Sequence, residues 1–269
     1  MSTALVTGAA RGIGRATVLH LAGRGWRVVA GVRDTSTVGF DHPAVSVVQL
    51  DVTDAASVRQ GVADAQQVAG GSLDAVVSNA GYAVVGAVED VAMDEVRAVF
   101  ETNTFGALAV VQAALPAMRE AGGGTVVFVS TIGASLPTPL LGAYRASKAA
   151  LNAFAEVLSL EGRHFGIRVG RVEPGMVATE FSKATRRSGS ITDPDGPYAP
   201  LGAALRDGMG RWRAEYEVTA DAVAAEIVRI IEDRDADHVT LVGDDAKRLQ
   251  GSDEDGMLTF LGAEWPRRP

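Results

Sequence analysis

Short apolar, β-branched runs alternate with stretches of helical length along the first 175 residues of this 269-residue chain. The runs lie at 4–6, 28–30, 45–50, 75–77, 126–129 and 167–172. Such near-continuous apolar runs suit strands buried on both faces. Between them, 13–24, 55–68 and 93–118 carry spaced apolar residues over helical lengths, and Gly25 stands where a left-handed C-terminal cap is expected. Strand and helix in alternation predict an α/β fold: a doubly wound parallel sheet, helices on both faces, right-handed crossovers. No repeat or linker interrupts the pattern. With 47% hydrophobic and 22% charged residues, the chain can build one large core.

The pattern loosens after Thr179. Residues 180–217 hold several Gly and Pro residues without clean periodicity, so a long loop is expected there. Order returns with Thr219 as an N-cap, a helix over 220–232 and a strand over 238–242. The expected division is one domain over 1–243 and a C-terminal extension over 244–269, where Met257, Leu258, Phe260, Leu261 and Trp265 either dock or stay solvated.

A formal net charge of −8 argues against nucleic acid, whose phosphates need a basic field. Without cysteine there is no disulfide, thiolate nucleophile or cysteine-ligated metal. The four histidines, His20, His42, His164 and His238, are scattered, so no metal site is expected. No basic-then-apolar leader precedes the first strand, and no uninterrupted apolar run approaches the ~18 residues of a membrane span. A cytoplasmic protein with no membrane partner is the expectation.

Three segments carry chemistry. Thr7-Gly8-Ala9-Ala10-Arg11-Gly12-Ile13-Gly14 joins a predicted strand to a predicted helix. Glycines there permit a sharp turn and close backbone approach to a pyrophosphate, which the helix N-terminus favours. Ser78-Asn79-Ala80-Gly81 ends the fourth predicted strand, at the sheet edge where ligands bind in open α/β folds. Tyr144-Arg145-Ala146-Ser147-Lys148 sets a phenol and an ammonium four positions apart, on one face of a helix. Nearby ammonium charge is expected to favour the phenolate and lower the tyrosine pKa, making Tyr144 a usable proton donor and acceptor.

The Gly-x-x-x-Gly-x-Gly spacing, together with the other two segments, resembles the short-chain dehydrogenase/reductase family, and does so nearly to residue 243. That resemblance implies one Rossmann-type catalytic domain with a seven-stranded parallel sheet. It makes Gly8, Arg11, Gly12, Ile13, Gly14, Asn79, Ala80 and Gly81 cofactor-binding, with Asp51 and Val52 at the adenine. Tyr144 becomes the acid–base residue, and Lys148 also binds the nicotinamide ribose. Pro174, Gly175, Val177 and Thr179 lie over the nicotinamide, and Asn103 holds a water in a proton relay. Counting thirteen residues back from Tyr144 reaches Thr131, where the family has serine. Thr131 is assigned the substrate-oxygen bond, with Ser130 the adjacent alternative; its methyl restricts χ1 and fills space beside the carbonyl.

At the tip of the second strand the family position is Val32, which is apolar, followed by Arg33. A guanidinium there suits the 2′-phosphate of NADP, so NADP (NADPH) is expected and NAD is the less favoured cofactor. Arg11 adds a second charge; Asp34 could pair with Arg33 and weaken the site. Segments 132–142 and 180–217 are expected to wall the substrate cleft, the first through Ile132, Leu136, Pro137, Pro139, Leu140 and Leu141. Arg186, Arg187, Arg211 and Arg213 in the second would meet an anionic group or form a solvated face. These features point to a ketoreductase-like oxidoreductase for a small hydrophobic ketone or aldehyde and its alcohol, similar to hydroxysteroid- and retinol-type members. A nucleotide-sensing protein with weakened turnover, and an epimerase or dehydratase using the same site, are the alternatives. Helices around 93–118 and 144–162 form subunit contacts in the family, implying a homodimer or homotetramer.

Overall fold

A computed structural model of the chain describes residues 1–252; the apolar residues expected to dock or stay solvated at 257–265 lie outside the described residues. Seven strands form the main sheet: β1 Thr3–Thr7, β2 Arg27–Val32, β3 Val45–Gln49, β4 Ala75–Ser78, β5 Gly124–Val129, β6 Ile167–Pro174 and β7 Val239–Val242. Their spatial order is β7-β6-β5-β4-β1-β2-β3, and every pairing is parallel. The expected doubly wound sheet is present. Strand order reverses between β1 and β4, which opens a crevice at their carboxyl ends. Every residue of β1 and of β4 is buried, as their apolar sequences require.

Helices cover both faces. On one side α1 (Gly12–Gly23) and α7 (Ala220–Glu232) bury Val18, Leu21, Val223 and Ile227 against the sheet. On the other, α2 (Ala55–Ala69), α4 (Ala107–Glu120) and α5 (Gly142–Glu161) bury Val62, Val110, Val111, Leu151 and Ala155. Local signals set their ends. Asp54 caps α2 through the N–H groups of Ala56 and Ser57, and Gly70 closes it at φ 82°. Gly25 takes φ +84° after α1, and the Thr219 hydroxyl accepts from Ala222 at the start of α7.

The helix expected over 93–118 is interrupted. It runs as α3 (Met93–Phe100), a π-helical turn Glu101–Gly106, and then α4. At the end of that turn a Cβ on Gly106 would sit 2.5 Å from the Val52 carbonyl oxygen, so the helix surface meets the loop after β3 directly. By length and composition Met93–Glu120 could cross a membrane, but here it carries the buried Val99, Val110, Val111, Ala114 and Met118.

The loop expected over 180–217 is largely absent. A short helix Phe181–Ala184 and a two-residue strand Arg186–Arg187 lead into an 18-residue helix, α6, Ala199–Tyr216. Three glycines inside α6 hid it, but Leu201, Leu205, Met209, Trp212 and Tyr216 recur every three or four residues. That stripe packs on Ile132, Leu136 and Leu140 in a third core cluster, which also takes Ala246 and Leu249. The latter two belong to α8 (Asp244–Leu249), so packing is continuous across residue 243.

Gly106→Ala should destabilise the fold by roughly 2–3 kcal/mol, because the added methyl must push Val52 or straighten the π-turn. A lower urea midpoint at unchanged slope would show it; an unchanged midpoint would mean that the loop yields freely.

Candidate active site

The carboxyl ends of β1 and β4 are joined by Thr7 and Asn79. Thr7 Oγ1 accepts the N–H groups of Asn79 at 3.0 Å and Ala80 at 3.2 Å. Asn79 Nδ2 donates to the carbonyls of Thr7 at 2.9 Å and Gly8 at 3.3 Å. Asn79 thus braces the glycine-rich turn instead of presenting its amide to the crevice. Thr7 was missed in the sequence; a hydroxyl at a strand's carboxyl end, one residue before the glycine turn, was the available signal.

That bracing leaves no room for side chains. A Cβ on Gly8 (φ +63°) would lie 2.8 Å from the Ala80 Cα, and one on Gly14 only 2.4 Å from the Gly8 oxygen. Gly12 (φ +55°) opens α1, and Arg11 at its N-cap makes no side-chain capping bond. The first N–H groups of the helix therefore face the crevice without a protein side chain capping them, as an anion site requires. A pyrophosphate fits this cradle. Thr179 reaches it from the other side, its Cβ and Cγ2 3.4 Å from where a Cβ on Gly12 would be.

Along the nucleotide path, Val32 is buried and Arg33 is exposed. Asp34 caps the short helix Thr35–Thr37, taking Ser36 N at 2.9 Å and Ser36 Oγ at 2.6 Å. These bonds hold its pKa below the usual carboxylate value. Arg33 therefore keeps its charge free of the feared pairing with Asp34. Asp51 Oδ1 accepts from Thr53 N at 3.0 Å and Oγ1 at 2.8 Å, while Val52 is buried beneath Gly106. Asp51 shapes the loop that would meet an adenine.

The reacting end is assembled from four elements. Tyr144 and Lys148 project from α5, and Thr131 caps the turn after β5, accepting Gly133 N at 3.1 Å. The Thr131 hydroxyl is hydrogen-bonded to the Tyr144 side chain. Ser130, the adjacent alternative, faces the interior: its hydroxyl donates to Asn152 Oδ1 at 2.5 Å, and Asn152 continues to Glu173 at 3.0 Å. The structure brings Thr131, not Ser130, to the phenol. Asn103 sits in the π-helical turn. Its Oδ1 accepts Tyr82 N at 3.0 Å, and its Nδ2 donates to Tyr82 O at 2.9 Å and Ser147 Oγ at 3.0 Å. A Cβ on Gly81 would lie 3.0 Å from Asn103 Oδ1 and 3.4 Å from Lys148 Nζ, so this glycine is where the two side chains converge.

The expected lowering of the tyrosine pKa is not found. Lys148 Nζ donates to the Val129 carbonyl at 2.9 Å, and the phenol turns to Thr131. Burial dominates both groups. It pushes Tyr144 up to about 12, only partly opposed by the Thr131 hydrogen bond, and pushes Lys148 down to about 8. Tyr144 is accordingly a neutral phenol over the whole ordinary pH range, ready to donate a proton. Phe181 lies beside it, ring centroids 5.9 Å apart.

Around the crevice, Pro174 O lies 3.4 Å from Thr131 Oγ1, and Gly175 N donates to Val242 O at 3.0 Å. Val177 pairs in parallel with Val218. Of the residues expected to wall the substrate cleft, Ile132, Leu136 and Leu140 are buried in the third core cluster; Pro137, Pro139 and Leu141 stay half-buried. Leu140 holds φ 63°, and its carbonyl accepts Gly86 N at 2.8 Å. Arg186 stacks 4.9 Å over the Tyr82 ring and Arg213 pairs with Glu217, so neither is a plain solvated charge.

Sheet, cradle and reacting side chains together define a nucleotide-dependent α/β oxidoreductase of the Rossmann type. Residues 2–189 match the family model of the short chain dehydrogenases. The chain is 32% identical over 265 residues to oxidoreductase BOA17 of Botryotinia fuckeliana, covering 97% of this chain and 95% of that protein. It is 35% identical to bovine (Bos taurus) retinol dehydrogenase 8, over 72% of this chain and 66% of that one. A solved short-chain dehydrogenase from Streptomyces avermitilis superposes with a TM-score of 0.82 at 31% identity, covering 97% and 92%. The chain belongs to the short-chain dehydrogenase family, whose members are NAD(P)-dependent oxidoreductases acting on CH–OH groups.

The lowered Lys148 pKa carries a stability signature. Below about pH 8 the folded protein holds a buried ammonium. Between that pH and 10.5, the ordinary lysine value, the unfolded chain binds the extra proton and stability rises with pH. Lys148→Met should therefore stabilise the protein at neutral pH by up to about 3 kcal/mol, less about 1 kcal/mol for the lost bond to Val129. The advantage should shrink across that window. Denaturant melts at neutral pH and near pH 10 check this, and a gap that does not change with pH would contradict it.

Proposed function

We propose that this protein is an NADP-dependent oxidoreductase that interconverts an apolar ketone or aldehyde with its alcohol. The observation that carries the reading is the hydrogen-bonded pair of Thr131 and Tyr144 next to buried Lys148, at the crevice mouth beside the glycine cradle. Bound there, the nicotinamide would supply or accept the hydride. Gly8, Gly12 and Gly14 would admit the pyrophosphate, and the α1 N-terminus would hold it. Tyr144 would pass its phenolic proton to the substrate oxygen while Thr131 donates a second hydrogen bond, stabilising developing charge. Lys148 would hold the ribose and favour the phenolate left behind. Asn103, fixed by Tyr82 and Ser147, would carry the relay onward from Lys148.

A phenol that stays neutral favours reduction, because it starts as the acid. Exposed Arg33 and Arg11, with Asp34 turned away, support NADP: a guanidinium binds the 2′-phosphate by charge-assisted bonds. Phe181 beside Tyr144, the apolar Pro137, Pro139 and Leu141 in the segment expected to wall the cleft, and the likeness to a retinol dehydrogenase support a hydrophobic substrate. Phe154, Val157, Leu160 and Phe165 are 41%, 53%, 64% and 42% exposed on and just after α5, an apolar stripe suited to pairing with a second copy. A cytoplasmic setting, where NADPH is held reduced, completes the reading.

Purified protein should oxidise NADPH with decanal, cyclododecanone or acetophenone, and far less with dihydroxyacetone. Tyr144→Phe should cut turnover by about 10²-fold or more while NADPH affinity changes little. Arg33→Ala should weaken NADPH about tenfold and leave NADH unchanged. Equal losses for both nucleotides would remove the NADP assignment, and full activity in Tyr144→Phe would remove the proton-donor role. Thr131→Ser separates a tuned enzyme, whose rate rises at constant cofactor affinity, from a protein that has lost turnover.

A further inference from the structure

The Asp245 side chain is fully buried at the start of α8, and three parts of the fold meet on it. Oδ2 accepts the Met176 N–H at 2.6 Å, and Oδ1 accepts the Ala246 N–H at 2.8 Å. The side chain of Trp212, on α6, comes close enough to the same carboxylate to help lower its pKa. Two glycines make the space. A Cβ on Gly175 would fall 2.0 Å from Oδ2, and one on Gly243 (φ +104°) 2.4 Å from Oδ1. Residue 175 is therefore glycine because Asp245 occupies the place of its side chain, whatever else lies above it.

Met176 is the pivot of the segment that follows β6. Its carbonyl accepts Val218 N at 3.0 Å, and the next two residues pair with Val218 and Thr219. Through them the chain reaches Thr179, which abuts Gly12 in the phosphate cradle. Trp212, only 7% exposed, belongs to the cluster that seats Ile132, Leu136 and Leu140 behind Thr131. One carboxylate thus touches the backbone on the cofactor side and the helix on the substrate side.

We propose that Asp245 is a positioning residue for both halves of the site, tying segment 174–179 and helix α6 to α8 so that cofactor and substrate walls are set together. The proposal rests on the oxidoreductase reading above. A carboxylate offers an acceptor oxygen to each of the Met176 and Ala246 N–H groups, whereas an asparagine of the same shape has one oxygen and turns an NH2 group toward one of the donors. Burial raises the Asp245 pKa above the usual carboxylate value, and the hydrogen bonds from Met176 and Ala246 oppose that shift only in part.

The test compares the whole protein with Asp245→Asn, Trp212→Phe and the double variant, using NADPH binding by fluorescence and steady-state kinetics with the best carbonyl of the panel above. Asp245→Asn should raise both the NADPH Kd and the carbonyl KM about tenfold, as expected for losing a buried charge-assisted bond. Trp212→Phe should raise the carbonyl KM alone, and the double variant should be no worse than Asp245→Asn for that constant. A purely structural role would lower the melting temperature or the active fraction and leave both constants within about twofold; that result overturns the proposal. If Asp245→Asn yields no folded protein, Trp212→Phe decides: an unchanged carbonyl KM is equally fatal. Wild-type protein that neither binds NADPH nor turns over any carbonyl would instead remove the oxidoreductase reading, which separates the two failures.

Discussion

The approach of β1 to β4 at their carboxyl ends governs the rest of the site. At the strand-order reversal the two chains leave the sheet toward opposite faces, and something must hold the gap between them open but narrow. Thr7 and Asn79 do so with five hydrogen bonds between side chain and backbone, the fifth from the Thr7 hydroxyl to the Val77 carbonyl. The gap they set is so small that a Cβ at Gly8 or Gly14 would overlap neighbouring backbone. The glycine pattern follows from this brace as much as from the phosphate it would admit. Losing the brace would free the turn, and α1 would no longer aim its N-terminus at the crevice.

Desolvation then sets the chemistry. Tyr144 and Lys148 lie one helical turn apart, the spacing at which an ammonium could depress a phenol's pKa. Packing overrides that. The lysine's ammonium is taken by the Val129 carbonyl, and both groups are pushed toward their neutral forms. A neutral phenol next to a hydroxyl is a proton donor waiting for an acceptor. Its conversion to phenolate depends on charge brought close to it, which makes ligand binding part of the acid–base balance. The destabilised lysine is what the fold gives up for that arrangement.

Much of this was legible in the sequence because it rests on short-range rules. Apolar runs announced the parallel strands, Thr219 announced its helix, and the segments 7–14, 78–81 and 144–148 lie together, Gly8 against Ala80 and Gly81 against Lys148. What was hidden depends on contacts between distant residues. The π-turn around Asn103 ends where Gly106 packs directly on the Val52 carbonyl, a contact that no local pattern reports. The sequence offers Asn79 as a cofactor contact but does not show that its amide nitrogen is bonded to the carbonyls of Thr7 and Gly8. Helix α6 was masked by Gly202, Gly208 and Gly210, although its stripe of Leu201, Leu205, Met209, Trp212 and Tyr216 was present throughout. Glycine content there argues for a loop, while the three-to-four-residue period matches the helix that forms.

The third core cluster explains why residues past the last strand matter to a site built earlier in the chain. Ile132, Leu136 and Leu140 turn from the loop after Thr131 into the interior, so that loop is only as rigid as the surface it rests on. That surface is α6, and α6 is in turn backed by Ala246 and Leu249 of α8. Leu140 is held at a positive φ that costs about 1 kcal/mol or more, and such strain persists only where surrounding packing over-determines it. The dependence therefore runs backwards along the sequence, from α8 through α6 to the loop bearing Thr131. Change at the far end of the domain is transmitted to the position of one hydroxyl beside Tyr144.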